Sequence, residues 1–403
     1  MIIVDILQYS LAGILGFLLC YELMLSIVAL AGQNITNFPA SRNRKFAIIL
    51  PAQDENVISK ILYSLSCLVY PKSMFDLVVV VNDSYDESAI IARNLGAKVL
   101  ERGNGKSDKG YNYSLKWVVD EIMKWNKSYD AIIVFDSDSL VSGNYLEVMN
   151  YYLDKNCDVI QSCNLILPRP DHWNNEATRI GFLLQNYVKP MGRKVLGLPM
   201  GLRGNGMCFS TEILRKIPWQ NDSSSQAIDY GLRLQLEGVK IHFAPEAHVL
   251  TKMPDRANCA EKQRKKWELG RYLTIHKYSR KLLGNFVNQR SFSFLDSFIE
   301  LITPPLVNTL LFVSTMIGVN LFLWFFELNT GWFLYLWLGI AVVGVLYLFI
   351  GLFAAGADRQ IYKSIFYIPL YIFWKIKIYI KSFWDRRKYQ RFARAGRKPK
   401  HVG

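Results

Sequence analysis

The stretch Ala131-Ile-Ile-Val-Phe-Asp-Ser-Asp138 decides the fold. Its first five residues form a short apolar run, the length of a buried strand. The run empties into Asp136-Ser137-Asp138, so two carboxylates stand at the strand's C-terminal end, where open α/β sheets bind their ligands. Two upstream segments repeat the pattern. Phe46-Ala-Ile-Ile-Leu50 closes at Pro51, and Asp76-Leu-Val-Val-Val-Val81 runs into Asn82-Asp83-Ser84. Between and after them, residues 56–68 and 86–95 read as helices and 97–100 as a short strand. Strands alternating with helices predict a largely parallel α/β sheet.

Carboxylates spaced i, i+2 just past a strand can approach one hard cation together. Their oxygens suit Mg2+ or Mn2+, with diphosphate oxygens completing the shell. The bland alternative is an Asp-rich turn, because Asp and Ser favour turns. No G-x-G-x-x-G or G-x-x-x-x-G-K-[ST] run is present, so neither a dinucleotide cradle nor a P-loop is supported.

Composition narrows the class. The chain has 403 residues, 48 Lys and Arg against 33 Asp and Glu, and a net charge of +15. With 14% aromatics and 20% charged residues it is not a disordered chain. Six cysteines exclude a disulfide-built scaffold, and five histidines without a C-x-x-C pair argue against structural zinc. The basic excess leaves nucleic acid, an anionic membrane surface or a phosphorylated substrate as partners.

The apolar residues are segregated. Leu11 to Leu30 carries one charge, Glu22, and is long enough to cross a bilayer core of about 30 Å. Asp5 precedes it, no Lys or Arg does, and no small-x-small cleavage site follows, so it reads as a retained span. Glu22 is then an intramembrane carboxylate, either functional or bonded to a neighbouring helix. Leu301 to Phe326 and Gly331 to Ala357 are free of charge and form a hairpin of spans, with Asn308 and Asn320 expected to face protein. Residues 361–384 are aromatic and apolar but interrupted by Lys363, Lys375, Lys377 and Lys381, which fits an interfacial helix bent at Pro369. Eight Lys or Arg against one Asp follow between Asp385 and Lys400. Positive flanks stay cytoplasmic, so the tail and the central region are expected in the cytoplasm, at what would be a bacterial inner membrane. The expected division is 1–34 for the first span and 35–290 for the α/β domain, with interfacial helices at 259–290. The hairpin takes 291–358, and 359–403 the last interfacial helix and tail. Nucleic acid is not expected as a partner, because the basic residues lie beside membrane segments among Phe373, Trp374, Phe383 and Trp384.

Several motifs in order carry a resemblance. Pro51-Ala-Gln-Asp-Glu55, Asn82-Asp83-Ser84, the basic stretch from Lys106 to Asn112, Asp136-Ser-Asp138, Lys189-Pro-Met-Gly192 through Gly204-Asn-Gly-Met207, and Gln263-Arg-Lys-Lys-Trp267 follow one another. From about residue 45 to 275 the chain resembles the membrane-integrated family 2 glycosyltransferases of the GT-A fold, the group of exopolysaccharide, chitin, hyaluronan and cellulose synthases. The last motif is similar to Q-x-x-R-W, with Lys266 where Arg is usual. The resemblance implies an inverting transferase using a nucleotide sugar, a UDP-sugar by expectation, and Mg2+ or Mn2+. Asp138 and Asp136 would hold the metal. Pro51, Glu55, Asp83, Lys109, Asp136, Gln263, Arg264 and Trp267 would meet the nucleotide sugar, and Gly204, Asn205, Gly206 and Trp267 the acceptor. The plainer alternative for 262–272 is a basic amphipathic helix resting on lipid headgroups.

Inverting transfer to a hydroxyl needs a general base. Relatives carry a Glu-Asp pair in a pattern like E-D-x-[DE]-[YL]-G-L-R-L. This chain reads Gln226-Ala227-Ile228-Asp229-Tyr230-Gly231-Leu232-Arg233-Leu234. Ala227 occupies the place of the usual Asp and cannot take a proton. Three expectations stay open: Asp229 is the base after a small register shift, the chain is an inactivated variant, or it is a natural silent homologue or uses another group such as Asp222. The acceptor is expected to be a growing polysaccharide or lipid-linked glycan, with single addition to a polyprenyl or other lipid as the alternative. Three spans make a thin wall for a polymer channel unless several copies, or a partner subunit, combine.

Overall fold

A computed structural model describes residues 2–51, 55–81, 87–101, 115–125, 128–169, 172–220, 226–253, 257–327 and 331–377. The chain begins with helix α1 (Ile2–Ala29). The first half of the sheet domain follows as β1 (Phe46–Pro51), α2 (Glu55–Ser66), β2 (Phe75–Val81), α3 (Glu87–Asn94), β3 (Lys98–Glu101), α4 (Leu115–Lys124) and β4 (Ala131–Val134). Then come β5 (Ser139–Val141), α5 (Tyr145–Asp154), β6 (Val159–Ile166), α6 (Trp173–Leu183) and α7 (Lys189–Val195). A π-helical turn, Leu184–Val188, joins α6 to α7 without a break. The domain closes with β7 (Met207–Ser210), α8 (Thr211–Lys216), α9 (Gln226–Leu236) and β8 (His242–Thr251). After the sheet domain come α10 (Ala257–Gln289), α11 (Phe292–Ile302), α12 (Leu306–Phe325), α13 (Trp332–Ala354) and α14 (Arg359–Ser364), and a further helix over 368–377 ends the described residues.

Eight strands form one sheet in the order β3-β2-β1-β4-β7-β6-β8-β5. Strands β3, β2, β1 and β4 are parallel neighbours, β7 runs antiparallel to both β4 and β6, and β8 is parallel to β6. The mostly parallel α/β sheet expected from the alternation is therefore the one observed. Side chains alternate across it. Ala47, Ile49, Val78, Val80, Ile132 and Val134 join a core with α4 and the membrane-side helices, while Phe46, Ile48, Leu50, Val79, Val81 and Ile133 pack with α2, α3 and α5.

Three helical segments, Asp5–Ala29, Leu306–Phe325 and Trp332–Ala354, are long and apolar enough to cross a membrane. Their outward residues, including Ile14, Phe17, Phe325, Val342 and Phe353, are exposed apolar groups that water would not tolerate in such density. The second span starts at Leu306 rather than Leu301, because Pro304-Pro305 cuts the apolar run and leaves Leu301 in α11. Asn320 is fully buried and donates to Gln8 Oε1 at 3.1 Å, as expected of a polar residue facing protein. The segment expected at the membrane interface breaks at 365–367 and resumes as a helix over 368–377, with Pro369 in its first turn.

Helix α1 is docked on the sheet domain through α7. A Cβ at Gly192 would run into the backbone carbonyl of Leu25, so the two helices touch at backbone level. Gly192→Ala is expected to cost on the order of 2–3 kcal/mol by overpacking. A lowered apparent Tm in detergent checks it, and an unchanged Tm would refute this docking.

Candidate functional site

Asp136 and Asp138 emerge from β4 as the sequence predicts. The loop carrying them is braced by one side chain. Asn205 Oδ1 accepts from the Asp136 amide at 3.1 Å, and its Nδ2 donates to Ser139 Oγ at 2.8 Å and Thr251 Oγ1 at 3.0 Å. Asp136 is exposed and Asp138 half-buried. Burial raises the Asp138 carboxyl above its usual range, against the opposing pull of its own backbone N–H and Lys252. A divalent cation fits this donor set: two hard oxygen ligands sit together, and a positive ion would restore the charge that burial penalises. Among the described residues no cluster of three His, Cys, Asp or Glu side chains is found.

Both carboxylates line a cavity of about 510 Å³. Its wall continues past Gly204 and Thr251 to Ile228 and Leu232 on α9. It then reaches Leu306 and Leu310 on α12, and Tyr347 on α13. One cavity thus joins the strand ends to two helices of membrane-spanning length.

One face of α10 forms the side wall with Gln263, Arg264, Trp267, Glu268 and Arg271. These spacings recur every three to four residues, so a single helical stripe faces inward. Arg264 donates to Thr178 Oγ1 at 3.0 Å and lies 5.1 Å from the Tyr371 ring centroid and 5.9 Å from that of Trp374. The guanidinium thereby pins the 368–377 helix across the cavity by cation–π attraction. Lys375, from the same helix, pairs with Glu268 at 3.4 Å and donates to Asn308. Burial pulls its ammonium down to about 8, against the opposing pull of Glu268. Arg271 donates to the carbonyls of Leu301, at 3.2 Å, and Thr303 at the end of α11. Among the described residues neither Arg264 nor Arg271 meets a carboxylate within salt-bridge distance.

Behind this wall lies a buried ionic cluster. Lys189 pairs with Glu22, giving the one carboxylate of the apolar stretch Leu11 to Leu30 a partner on a neighbouring helix. Arg193 Nε donates to both oxygens of Asp296, at 3.1 and 3.0 Å, and Tyr21 donates to the same carboxylate. Arg193 and Arg203 both reach Glu300. Burial alone would raise Glu300, but the two guanidinium groups outweigh it and hold the carboxyl below its usual range.

Ala227 and Asp229, at the expected base position, lie on different flanks of α9. Residues two apart on a helix point about 200° from each other. Ala227 faces Gly204, with its Cβ 3.8 Å from where a side chain there would begin. Asp229 lies on the opposite flank, 2% exposed, and pairs with Lys277 of α10 at 2.6 Å. Asp229 is not part of the cavity wall.

Of the other sequence candidates, Gln263, Arg264, Trp267 and Gly204 line the cavity. Asn205 is spent on bracing the Asp136–Asp138 loop, and Gly206 is packed against Ser162 at a positive φ of 69°. Pro51 ends β1 and is buried. Glu55 opens α2, but its side chain lies outside the described residues, as do Asp83, Lys109, Asp222 and the side chain of Lys266. Sequence reasoning does not single out Arg203, Arg271, Glu300 and Tyr371 as site residues. Their only signal is charge or aromaticity near apolar segments, which ordinary headgroup contacts explain equally well.

A family model described as glycosyl transferase family group 2 matches residues 131–375, from the Asp136–Asp138 strand to the helix that crosses the cavity. The chain belongs to this family. A curated relative, beta-monoglucosyldiacylglycerol synthase from Synechocystis sp., is 24% identical over 240 residues. That alignment covers 58% of this chain and 49% of the relative, so the chain matches about half of the relative's length. Among solved structures, a mannosyltransferase from Pyrobaculum calidifontis in complex with GDP-Man and Mn2+ is similar with a TM-score of 0.46 at 12% identity, covering 93% of this chain and 99% of that one. Glucosyl-3-phosphoglycerate synthase from Mycobacterium tuberculosis, in complex with Mn2+, UDP and phosphoglyceric acid, is similar with a TM-score of 0.38 at 18% identity over 56% of this chain and 80% of that one.

Proposed function

We propose that this glycosyltransferase moves one sugar, with inversion, from a nucleotide sugar to a lipid acceptor at the cytoplasmic face of a membrane. The cavity carries the reading: it begins at two carboxylates suited to a metal-bound diphosphate and ends among Leu306, Leu310 and Tyr347 of the candidate spans. A soluble acceptor would have no use for the apolar end. A lipid could leave its tail near the bilayer and present its head to the strand ends. The Synechocystis relative is named for a glucosylated diacylglycerol, which supports a lipid acceptor.

Asp138 and Asp136 would hold Mg2+ or Mn2+, which when bound neutralises the charge growing on the departing diphosphate. Gln263 and Arg264 face the same space and would steady the donor, while Trp267, 42% exposed, offers a flat face to a sugar ring. A UDP-sugar remains the expected donor.

The test uses the detergent-purified chain with Mn2+, radiolabelled UDP-glucose or GDP-mannose, and a bacterial lipid extract or soluble oligosaccharides as acceptor. Label is expected to enter the organic phase only with lipid and metal present. Label confined to oligosaccharide would favour polysaccharide extension instead. Failure to bind any nucleotide sugar in the presence of metal would point to a silent homologue.

A further inference from the structure

Strand β6 reads Val159-Ile-Gln-Ser-Cys-Asn-Leu-Ile166, and Gln161 within it is completely buried. A buried amide is costly unless its hydrogen bonds are made. Most of its bonds go to one stretch of backbone. Gln161 Oε1 accepts from the Arg203 amide at 2.8 Å, and Nε2 donates to the carbonyls of Asn205 at 2.7 Å and Gly206 at 3.3 Å. A further bond reaches the carbonyl of Ser162 in its own strand, at 3.2 Å. The stretch so held, Arg203-Gly-Asn-Gly206, has φ of 98° at Gly204 and 69° at Gly206. Glycine reaches these angles freely but leaves the chain many alternatives, so the shape has to be fixed from outside. Regular pairing of β6 with β7 ends at Gln161 and Met207. Backbone bonds then hold Gly206, through Val134 and Ser162, each at 3.0 Å. The Gln161 side chain holds Arg203 and Asn205. From the opposite side, the Arg203 guanidinium is bonded to Glu300 of α11.

What this stretch carries is the brace of the carboxylate loop. Asn205 reaches the Asp136 amide on one side of Asp138 and Ser139 Oγ on the other, and also Thr251 Oγ1. Thr251 Oγ1 donates in turn to Asn164 Oδ1 at 2.8 Å, on the same strand as Gln161. Asn205 can fix the loop only if its own backbone is fixed. We infer that Gln161 is a positioning residue for the metal pair: by clamping residues 203–206 it sets where Asn205, and through it the Asp136–Asp138 loop, stands. Gln161 is not part of the cavity wall, so it acts without touching metal or substrate. The effect falls on metal binding because a small divalent cation demands near-ideal ligand geometry, and two carboxylates in a wandering loop meet it only part of the time.

This inference rests on the reading of Asp136 and Asp138 as metal ligands, and the experiment separates the two. Mn2+ binding to the full chain in detergent, with UDP present and no acceptor, is followed by loss of the free-ion EPR signal. Tm is recorded in parallel. Gln161→Met keeps the length and bulk of the side chain and removes its hydrogen bonds. It is expected to weaken Mn2+ binding about tenfold, the lower end of the range for residues that orient a metal's ligands. In turnover the Mn2+ needed for half-maximal rate should rise by the same factor, with most of kcat regained at saturating metal. Asn205→Ala is expected to give a similar loss, and the double variant no more than the larger single loss, because both act through one stretch. Tyr230→Phe removes a buried bond to the Ile217 carbonyl, 2.6 Å long, and measures general loss of stability. Its Tm should fall while its Mn2+ binding stays that of the unaltered chain. Gln161→Met with a lowered Tm and unchanged Mn2+ binding overturns the inference and leaves the metal pair standing. Additive losses in the double variant also overturn it. Should the Met variant not fold, Gln161→Asn, which keeps the amide on a shorter stem, decides instead. Weaker Mn2+ binding is expected of it, and unchanged binding overturns the inference. If the unaltered chain binds no Mn2+, or Asp138→Asn binds it equally well, the metal reading falls and this inference with it.

Discussion

Asp138→Asn is expected to cut sugar transfer at least about a hundredfold, the scale for losing one preorganised electrostatic group at a site of developing charge. The substitution keeps the shape of the side chain and removes one of two anionic ligands. It should not disturb the fold, because the backbone carbonyl of Asp138, which accepts from the Lys252 amide at 3.2 Å, is untouched. The loss should therefore appear as a raised requirement for Mn2+ and a lower kcat, with part of the activity recovered at high metal. A titration of kcat/KM against Mn2+ for both proteins measures this. Equal activity and equal metal dependence would mean that Asp138 is a turn residue and that the carboxylate pair does not serve a metal.

Asp296→Asn is expected to be the most damaging substitution to the fold itself, at roughly 3–5 kcal/mol. Asp296 is fully buried and accepts from Arg193 and from Tyr21. Arg193 is itself only 2% exposed, so the neutral amide leaves a buried guanidinium with Glu300 as its remaining counter-ion. The three partners come from α1, α7 and α11, so the same change should loosen α1 from the sheet domain. A lower apparent Tm, together with faster proteolysis in detergent, is the expected signature. If Arg193→Met combined with Asp296→Leu restores much of the lost stability, the cost lies in the uncompensated charge rather than in lost packing. A variant as stable as the parent would show that this cluster does not hold the helices together.

Much of the domain was legible because its signals are local. The apolar runs ending at Pro51, Val81 and Asp136 are strand-length, and β1, β2 and β4 lie within a residue or so of the expected segments. The helices long and apolar enough to cross a membrane were legible for the same reason, since length and absence of charge are properties of consecutive residues. The start of the second span was misplaced by five residues because a hydropathy pattern ignores what Pro304-Pro305 does to a helix. The motif carrying Gln263, Arg264 and Trp267 was also legible, and those side chains do share a cavity.

What the sequence by itself determined is therefore the set of elements, their order, the membrane-length helices and the carboxylate pair at the end of β4. Each follows from residues close together in the chain, where backbone sterics, helical periodicity and apolar transfer act directly. Only the tertiary structure decided how residues far apart combine. It turned Asp229 toward Lys277 and left Ala227 facing Gly204. It gave Glu22 to Lys189 and brought the 368–377 helix back over Arg264, more than a hundred residues away. Those outcomes depend on which flank of each helix finds a partner of opposite charge or a matching apolar surface. Local sequence carries no record of that choice, because in a buried site the low dielectric rewards the pairing and penalises every unpaired charge.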